Sequence, residues 1–379
     1  MSRRTALPLE DPLASFSIST HTYKVVDRHE ILVDVLIPKK LLDLGPGSDE
    51  WKKPRPISVR LHGGGLVTGK RTCASFVPRW LYSFAHEHNA IIVSPDYRLL
   101  PEATAEELLD DLDDFWAWLP SGLPIALREA SAKAAGLEAG NGLEADFDRV
   151  MVHGESAGGY CALQLVLSNF RPSVDKEPAF GAPQSRLRIR VLVAVYPMCD
   201  FRHRHWTEAY VKDINGAPQL PASTIDDHLA AMKNASPRSI VSSAEYSDAR
   251  GMLFLAAVQQ GRLAELLGHE RERKEGARGR VHIEDRIEGG AKLPPTLFVH
   301  GTADTGVPVE CADRLVTLMK ERDAVVKPNE MGEDEGWEPL MYARVDGEEH
   351  GFDLDLGPED AEWVKKGLDF VETVWLKAG

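Results

Sequence analysis

The stretch that decides the fold is Val150-Met151-Val152-His153-Gly154-Glu155-Ser156-Ala157-Gly158-Gly159. Its apolar, β-branched opening reads as a buried strand, and glycines then flank one serine before an apolar helix begins. A strand that turns sharply into a helix leaves little room beside the turn residue. Gly154 and Gly158 let the backbone take strained dihedrals there and lift Ser156 clear of the sheet. The serine then sits at a helix N-terminus, where free amides and the helix dipole favour negative charge. A plain Gly/Ser turn has the same look, so its meaning depends on partners elsewhere.

Upstream, residues 23–38 alternate well enough for two antiparallel edge strands, and residues 41–56 read as a Gly/Pro/Lys-rich surface loop. Residues 57–61 form a short apolar strand ending in His62-Gly63-Gly64-Gly65. Without a Cβ, these glycines can bring their N–H groups close to a substrate oxygen and stabilise developing charge. The amides of Gly64, Gly65 and Ala157 are the candidate donors, and His62 is expected to order the loop. Residues 90–94 form the next buried strand, running into Pro95-Asp96-Tyr97-Arg98-Leu99-Leu100-Pro101-Glu102. Leu108, Leu109, Leu112, Phe115, Trp116 and Leu119 recur at helical spacing over residues 105–119, with acids on a solvated face. Residues 124–146 are expected to make a helix and a loop that lead into the Val150 strand.

Downstream, a helix over residues 157–170 is followed by a polar loop carrying Pro172, Pro178 and Pro183, then by a strand over 189–196. Residues 198–294 depart from the strand–helix rhythm and are too long for an ordinary loop, so they read as an inserted cap. Helical segments are expected near 224–234 and 247–267, and the charged run 269–280 reads as solvated surface. Trp206, Tyr210, Met252, Leu253 and Phe254 are the candidate apolar contacts of this cap. His203 and His205 form a pair that lacks a third metal ligand. The core resumes with a strand over 295–302 that leads to Asp304, and a helix over 308–320. A last strand over 340–345 ends in Asp346-Gly347-Glu348-Glu349-His350-Gly351-Phe352, and a helix over 359–376 closes the chain. The expected organisation is residues 1–22 as a segment of the cap, core 23–197, cap 198–294 and core 295–379.

Composition narrows the partners. The chain has 379 residues and a net charge of -15, which argues against binding nucleic acid or anionic lipid. No stretch is long and apolar enough to span a bilayer, and no apolar signal region follows Met1-Ser2-Arg3-Arg4. Cys73, Cys161, Cys199 and Cys311 have neither metal nor disulfide spacing, so the expectation is a cytoplasmic protein with reduced thiols.

Ser156, Asp304 and His350 each follow a core strand, in the order Ser, acid, His. In an open parallel sheet the carboxyl ends of strands share one edge, so the three can converge. An alcohol is a poor nucleophile at neutral pH and needs a base, imidazole has a suitable pKa, and a buried carboxylate fixes its tautomer. Glu310 and Asp313 compete for the acid's role but fall at the start of a helix, beyond the strand-end loop.

From about residue 24 onward the chain resembles the hormone-sensitive-lipase-like branch of the α/β-hydrolase superfamily. The resemblance lies in His62-Gly63-Gly64-Gly65, the Ser94–Glu102 stretch, Gly154-Glu155-Ser156-Ala157-Gly158 and His350-Gly351-Phe352. It implies an α/β fold with a mostly parallel sheet of about eight strands, helices on both faces and a helical cap over an acyl pocket. It also implies a carboxylesterase or lipase-like serine hydrolase with a Ser-His-Asp triad, an oxyanion hole and an acyl-enzyme intermediate, acting without cofactor or metal. The acid loop departs from the Asp-Pro-Leu-x-Asp of that branch and reads Asp304-Thr305-Gly306-Val307-Pro308. Capped chains of this look are also similar to trans-acting hydrolases of fungal polyketide pathways, which release or transfer an acyl chain from a carrier protein. The expected partner is therefore a small-molecule ester or thioester, with an acyl carrier domain as a further one. Acyl transfer or lactone formation would use the same triad. Non-catalytic receptors of this branch typically lose the histidine that stands here as His350.

Overall fold

Along each central strand, alternate side chains enter two separate cores, and this alternation sets the architecture. The computed structural model describes residues 4–135, 142–172, 187–235, 239–246, 249–267, 279–327, 331 and 337–376. Its strands are β1 (Phe16–Val26), β2 (His29–Pro38), β3 (Arg55–Leu61), β4 (Ile91–Pro95), β5 (Ala145–Glu155), β6 (Ile189–Val195), β7 (Thr296–Gly301) and β8 (Leu340–Val345). They form one eight-stranded sheet in the order β1-β2-β4-β3-β5-β6-β7-β8. β2 pairs antiparallel with β1 and with β4, and all other pairings are parallel. Val150 and Val152 face one core with Ile57 and Val59, whereas Met151 faces the other with Val191 and Val193. A sheet covered on both faces needs such continuous apolar runs.

The helices are α1 (Lys39–Leu44), α2 (Arg79–Glu87), α3 (Ala105–Ala135), α4 (Ala157–Asn169), α5 (Arg204–Thr207), α6 (Ser223–Asn234), α7 (Ala249–Gln259), α8 (Leu263–Leu266), α9 (Ile283–Glu288), α10 (Val309–Glu321) and α11 (Glu362–Trp375). α3, α4 and α10 cover the first core, and α2 and α11 cover the second. Four elements differ from the sequence reading. β1 starts at Phe16, and β2 is interior, joined to β1 by Asp27 and Arg28 at φ of 47° and 70°. α1 occupies part of the span expected to be loop. α3 continues through Pro120 and Pro124, because Leu119, Leu123, Ala126 and Leu127 keep burying apolar surface past the point where the prolines remove hydrogen bonds.

Described residues of the segment between β6 and β7 lie over the carboxyl edge of the sheet. There His205 Nε2 meets the Gly306 carbonyl at 3.1 Å, and the Asn215 N–H donates to Thr305 Oγ1 at 3.0 Å. The N-terminal residues take another course, which corrects the assignment of 1–22 to the cap. Arg4 pairs with Asp369 and Glu372 of α11 at 2.8 and 2.6 Å, and the Leu7 N–H donates to Ser83 Oγ of α2. Leu7 and Phe16 bury their side chains in the core beneath these helices, and Phe16 onward is already sheet. The loop prolines Pro178 and Pro183 and residues 269–278 of the charged run lie outside the described residues. Among the described residues no helix is long and apolar enough to cross a membrane.

Candidate active site

Ser156 sits between β5 and α4 with φ 57° and ψ -120°. For a residue with a side chain this conformation costs on the order of 1–3 kcal/mol and needs its surroundings to enforce it. The enforcement is steric. A Cβ on Gly154 would stand 2.2 Å from the Gly158 carbonyl oxygen, and one on Gly158 would stand 2.1 Å from that of Leu61. The turn is thus pressed against the end of β3, where the glycine loop begins. The Ser156 N–H donates to the Val195 carbonyl at 2.9 Å, and the serine remains 9% exposed.

The His62–Gly65 loop runs beside the serine, since a Cβ on Gly63 would come within 3.6 Å of Ser156 Cβ. Gly64 and Gly65 have φ of 115° and 65°, and no described residue accepts from their amides. Ala157 opens α4, so its amide has no partner within the helix, and Ser156 makes no side-chain cap. His62 stacks on Tyr97 with 4.2 Å between ring centroids, and its Nδ1 bonds to the Gly63 carbonyl at 2.8 Å. Burial holds this imidazole down at about 3, so it is neutral.

The insertion reaches this loop through α7. Arg250 donates to both carboxylate oxygens of Glu102 at 2.8 Å and to the carbonyls of Val67 and Leu100 at 2.7 and 2.5 Å. A fork that matches two carboxylate oxygens fixes orientation as well as distance. One turn further, the Phe254 ring covers Gly65 so closely that a Cβ there would lie 2.1 Å from it. Of the other expected cap contacts, Trp206 and Leu253 are buried, whereas Tyr210 and Met252 are exposed.

Asp304 and His350 are brought together across 46 residues of chain, with His350 Nδ1 2.8 Å from Asp304 Oδ2. Asp304 Oδ1 accepts from the Val307 N–H at 2.7 Å, and His300 Nε2 lies 3.3 Å from Oδ2. The competing acids are elsewhere: Asp313 accepts from Tyr342 Oη at 2.8 Å and faces Arg344 at 3.1 Å, and Glu310 is exposed. Among the described residues the other hydrogen bond of His350 runs from its N–H to Glu349, and none joins its ring to Ser156 Oγ. The serine and the ring are nonetheless neighbours of one residue pair. Val195 accepts from Ser156, and the adjoining Tyr196 lies against the imidazole, 4.5 Å between centroids. Catalytic hydrogen bonds often tighten only when substrate binds.

The charges fit this arrangement. Burial works to raise the Asp304 carboxyl, but His350 and His300 outweigh it and hold it well below the usual carboxylate range. Burial works to lower His350, but Asp304 outweighs it and the imidazole stands above its ordinary value. With Nδ1–H committed to the carboxylate, Nε2 is left as the acceptor.

Sequence reasoning missed His300, Arg60 and Asp353. Fully buried Arg60 reaches Glu155, the residue before the serine, at 3.3 Å and donates to the Phe76 carbonyl at 2.6 Å. For Arg60 and His300, charged or imidazole side chains inside otherwise apolar strands were the available signal. His205, read as half of a possible metal pair, instead braces the acid loop, and the described residues contain no cluster of three metal-ligating side chains.

A profile described as the alpha/beta hydrolase fold matches residues 58–258, and the chain belongs to that family. It is 27% identical over 368 residues to a protein of Phoma sp. named "Probable carboxylesterase M8", covering 97% of this chain and 99% of that one. It is 25% identical over 387 residues to the non-reducing polyketide synthase Preu6 of Preussia isomera, covering 94% of this chain but 15% of the synthase. Esterase B from Lactobacillus rhamnosis superposes with a TM-score of 0.54 over 95% of this chain and 85% of that one, at 15% identity, a likeness of fold.

Proposed function

We propose that this hydrolase is a serine esterase that works through Ser156, His350 and Asp304. The observation that carries the reading is the 2.8 Å bond from His350 to Asp304 at the edge that holds the strained Ser156. Ser156 Oγ attacks the ester carbonyl while His350 Nε2 takes its proton, and Asp304 stabilises the imidazolium. The amides of Gly64, Gly65 and Ala157 hold the oxyanion. Collapse of the tetrahedral intermediate expels the alcohol with the proton from His350 and leaves the acyl group on Ser156. Water then enters, gives its proton to His350 and releases the acid. The β6–β7 insertion roofs the acyl site through Phe254. The near full-length similarity to a protein named as a carboxylesterase supports an ester as substrate.

A second reading keeps the triad and changes the leaving group to a thiol, as in an acyl chain carried on a carrier domain. The similarity to polyketide synthases favours it. Labelling with a fluorophosphonate, peptide mass mapping, and incubation with a short p-nitrophenyl ester and an acyl-thioester test both. The expected result is an adduct on Ser156 and free acid from the ester. Faster turnover of the thioester would transfer the reading to a thioesterase, and ester or lactone products would make it an acyltransferase. No adduct and no turnover would leave a non-catalytic receptor.

A further inference from the structure

A second buried carboxylate lies behind His350. Asp353, three residues on, is fully buried and accepts from Trp80 Nε1 at 2.8 Å and from Tyr196 Oη at 2.5 Å. The Tyr196 ring packs against the imidazole at an interplanar angle of 54°, and Tyr196 holds a φ of 34°, a region that side chains avoid. Both hydrogen-bond partners of Asp353 are neutral. Burying a carboxylate beside neutral donors is expensive, and an uncharged acceptor would tie this loop to α2 at lower cost. The retained charge therefore calls for a use.

We infer that Asp353, acting with the Tyr196 phenol, is a positioning residue for His350. It holds the ring in place from behind and sets a second negative charge near the imidazolium that forms when Ser156 gives up its proton. The inference rests on the reading of His350 as the base. The groups facing His350 are Asp304 from the loop after β7, Glu349 and Asp353 from its own loop, and Tyr196 from the end of β6. Those facing Asp353 are Tyr196, Trp80 of α2 and Glu155 of β5, the last paired with Arg60. Burial pushes Asp353 up to about 6, with Tyr196 and Trp80 holding it back. A carboxylate at this position adds to Asp304 and Glu349 in raising His350.

The test is the pH dependence of kcat/KM on a p-nitrophenyl ester over roughly pH 5 to 9 for the wild type, Asp353→Asn and Tyr196→Phe. In Asp353→Asn, kcat should fall about tenfold with KM nearly unchanged, and the acid limb should move to lower pH because the imidazolium loses a stabilising charge. Tyr196→Phe keeps the ring but removes a hydrogen bond that holds the Asp353 carboxyl down, so less of its charge remains and the limb should move the same way by less. A plain structural tie would lower Tm and leave the limb in place, and that result in an active Asp353→Asn overturns the inference. If Asp353→Asn does not fold, an unmoved limb and unchanged kcat in Tyr196→Phe overturn it. A wild type that takes no fluorophosphonate on Ser156 would instead bring down the reading of His350.

Discussion

The turn after β5 and the loops after β7 and β8 hold the groups of the proposed triad by opposite means. Ser156 is held by shape: within five residues, Gly154 and Gly158 let the chain press on Leu61, and among the described residues the serine's backbone bonds only to the backbone of Val195, Tyr160 and Met198. Asp304 and His350 are held by charge and hydrogen bonds gathered from distant parts of the chain. His300 and Val307 back the acid, Glu349 ties the histidine N–H and Thr305, and His205 and Asn215 brace the loop from above. A site held by shape should tolerate changes of charge and fail on an added methyl. A site held by charge should do the reverse.

The largest effect is expected at the serine itself. Ser156→Ala should lose on the order of 10⁶ in kcat for ester hydrolysis, as in the subtilisin precedent, and should abolish fluorophosphonate labelling with Tm preserved. Asp304→Asn keeps the volume and removes the charge. It should cost on the order of 10⁴ in kcat, the serine-protease precedent, while Asp313→Asn stays near wild type. Equal losses in the two variants would break the claim that one carboxylate does this work. Gly158→Ala tests shape alone, because its methyl meets the Leu61 carbonyl. It should cost about 2–4 kcal/mol by chemical denaturation, whereas a silent substitution would show that the elbow is not sterically locked. His300→Leu removes the imidazole that bonds the Val307 carbonyl at 3.0 Å and lies 3.3 Å from Asp304 Oδ2, and should lower kcat about tenfold, measured with KM so that a binding defect is distinguished.

The smallest effect is a pH dependence. In the proposed mechanism His350 must be neutral to accept the serine's proton, and its pairing with Asp304 raises it above the ordinary imidazole value of about 6.5. Activity should therefore fall as pH drops through that raised value. The same pairing stabilises the fold below the unfolded imidazole's pKa, and that contribution fades as pH rises through the folded value. An acid limb below the ordinary imidazole range would contradict the pairing.

Much of this was legible in the residues. β8 and the strands around Ser156 follow from apolar runs bounded by glycine and proline, and the elbow follows from two glycines around one serine. Other features had no local trace. Nothing in residues 4–22 says that Arg4 will meet Asp369 and Glu372 on the last helix, and the prolines of α3 argue for a break that tertiary burial overrides. Arg60, His300 and Asp353 are single polar residues in apolar or motif-bound stretches, and their roles appear only when their neighbours across the sheet are known.

The sequence by itself determined the βα order, the strained serine and the glycine loop beside it, because steric limits and hydrophobic periodicity act over a few consecutive residues. Only the tertiary structure decided that Asp304, and neither Asp313 nor Glu310, meets His350, and that α7 brings Phe254 onto Gly65. Electrostatic and packing partners are chosen by distance through space and by the water they exclude, and neither quantity is written in the spacing of residues along the chain.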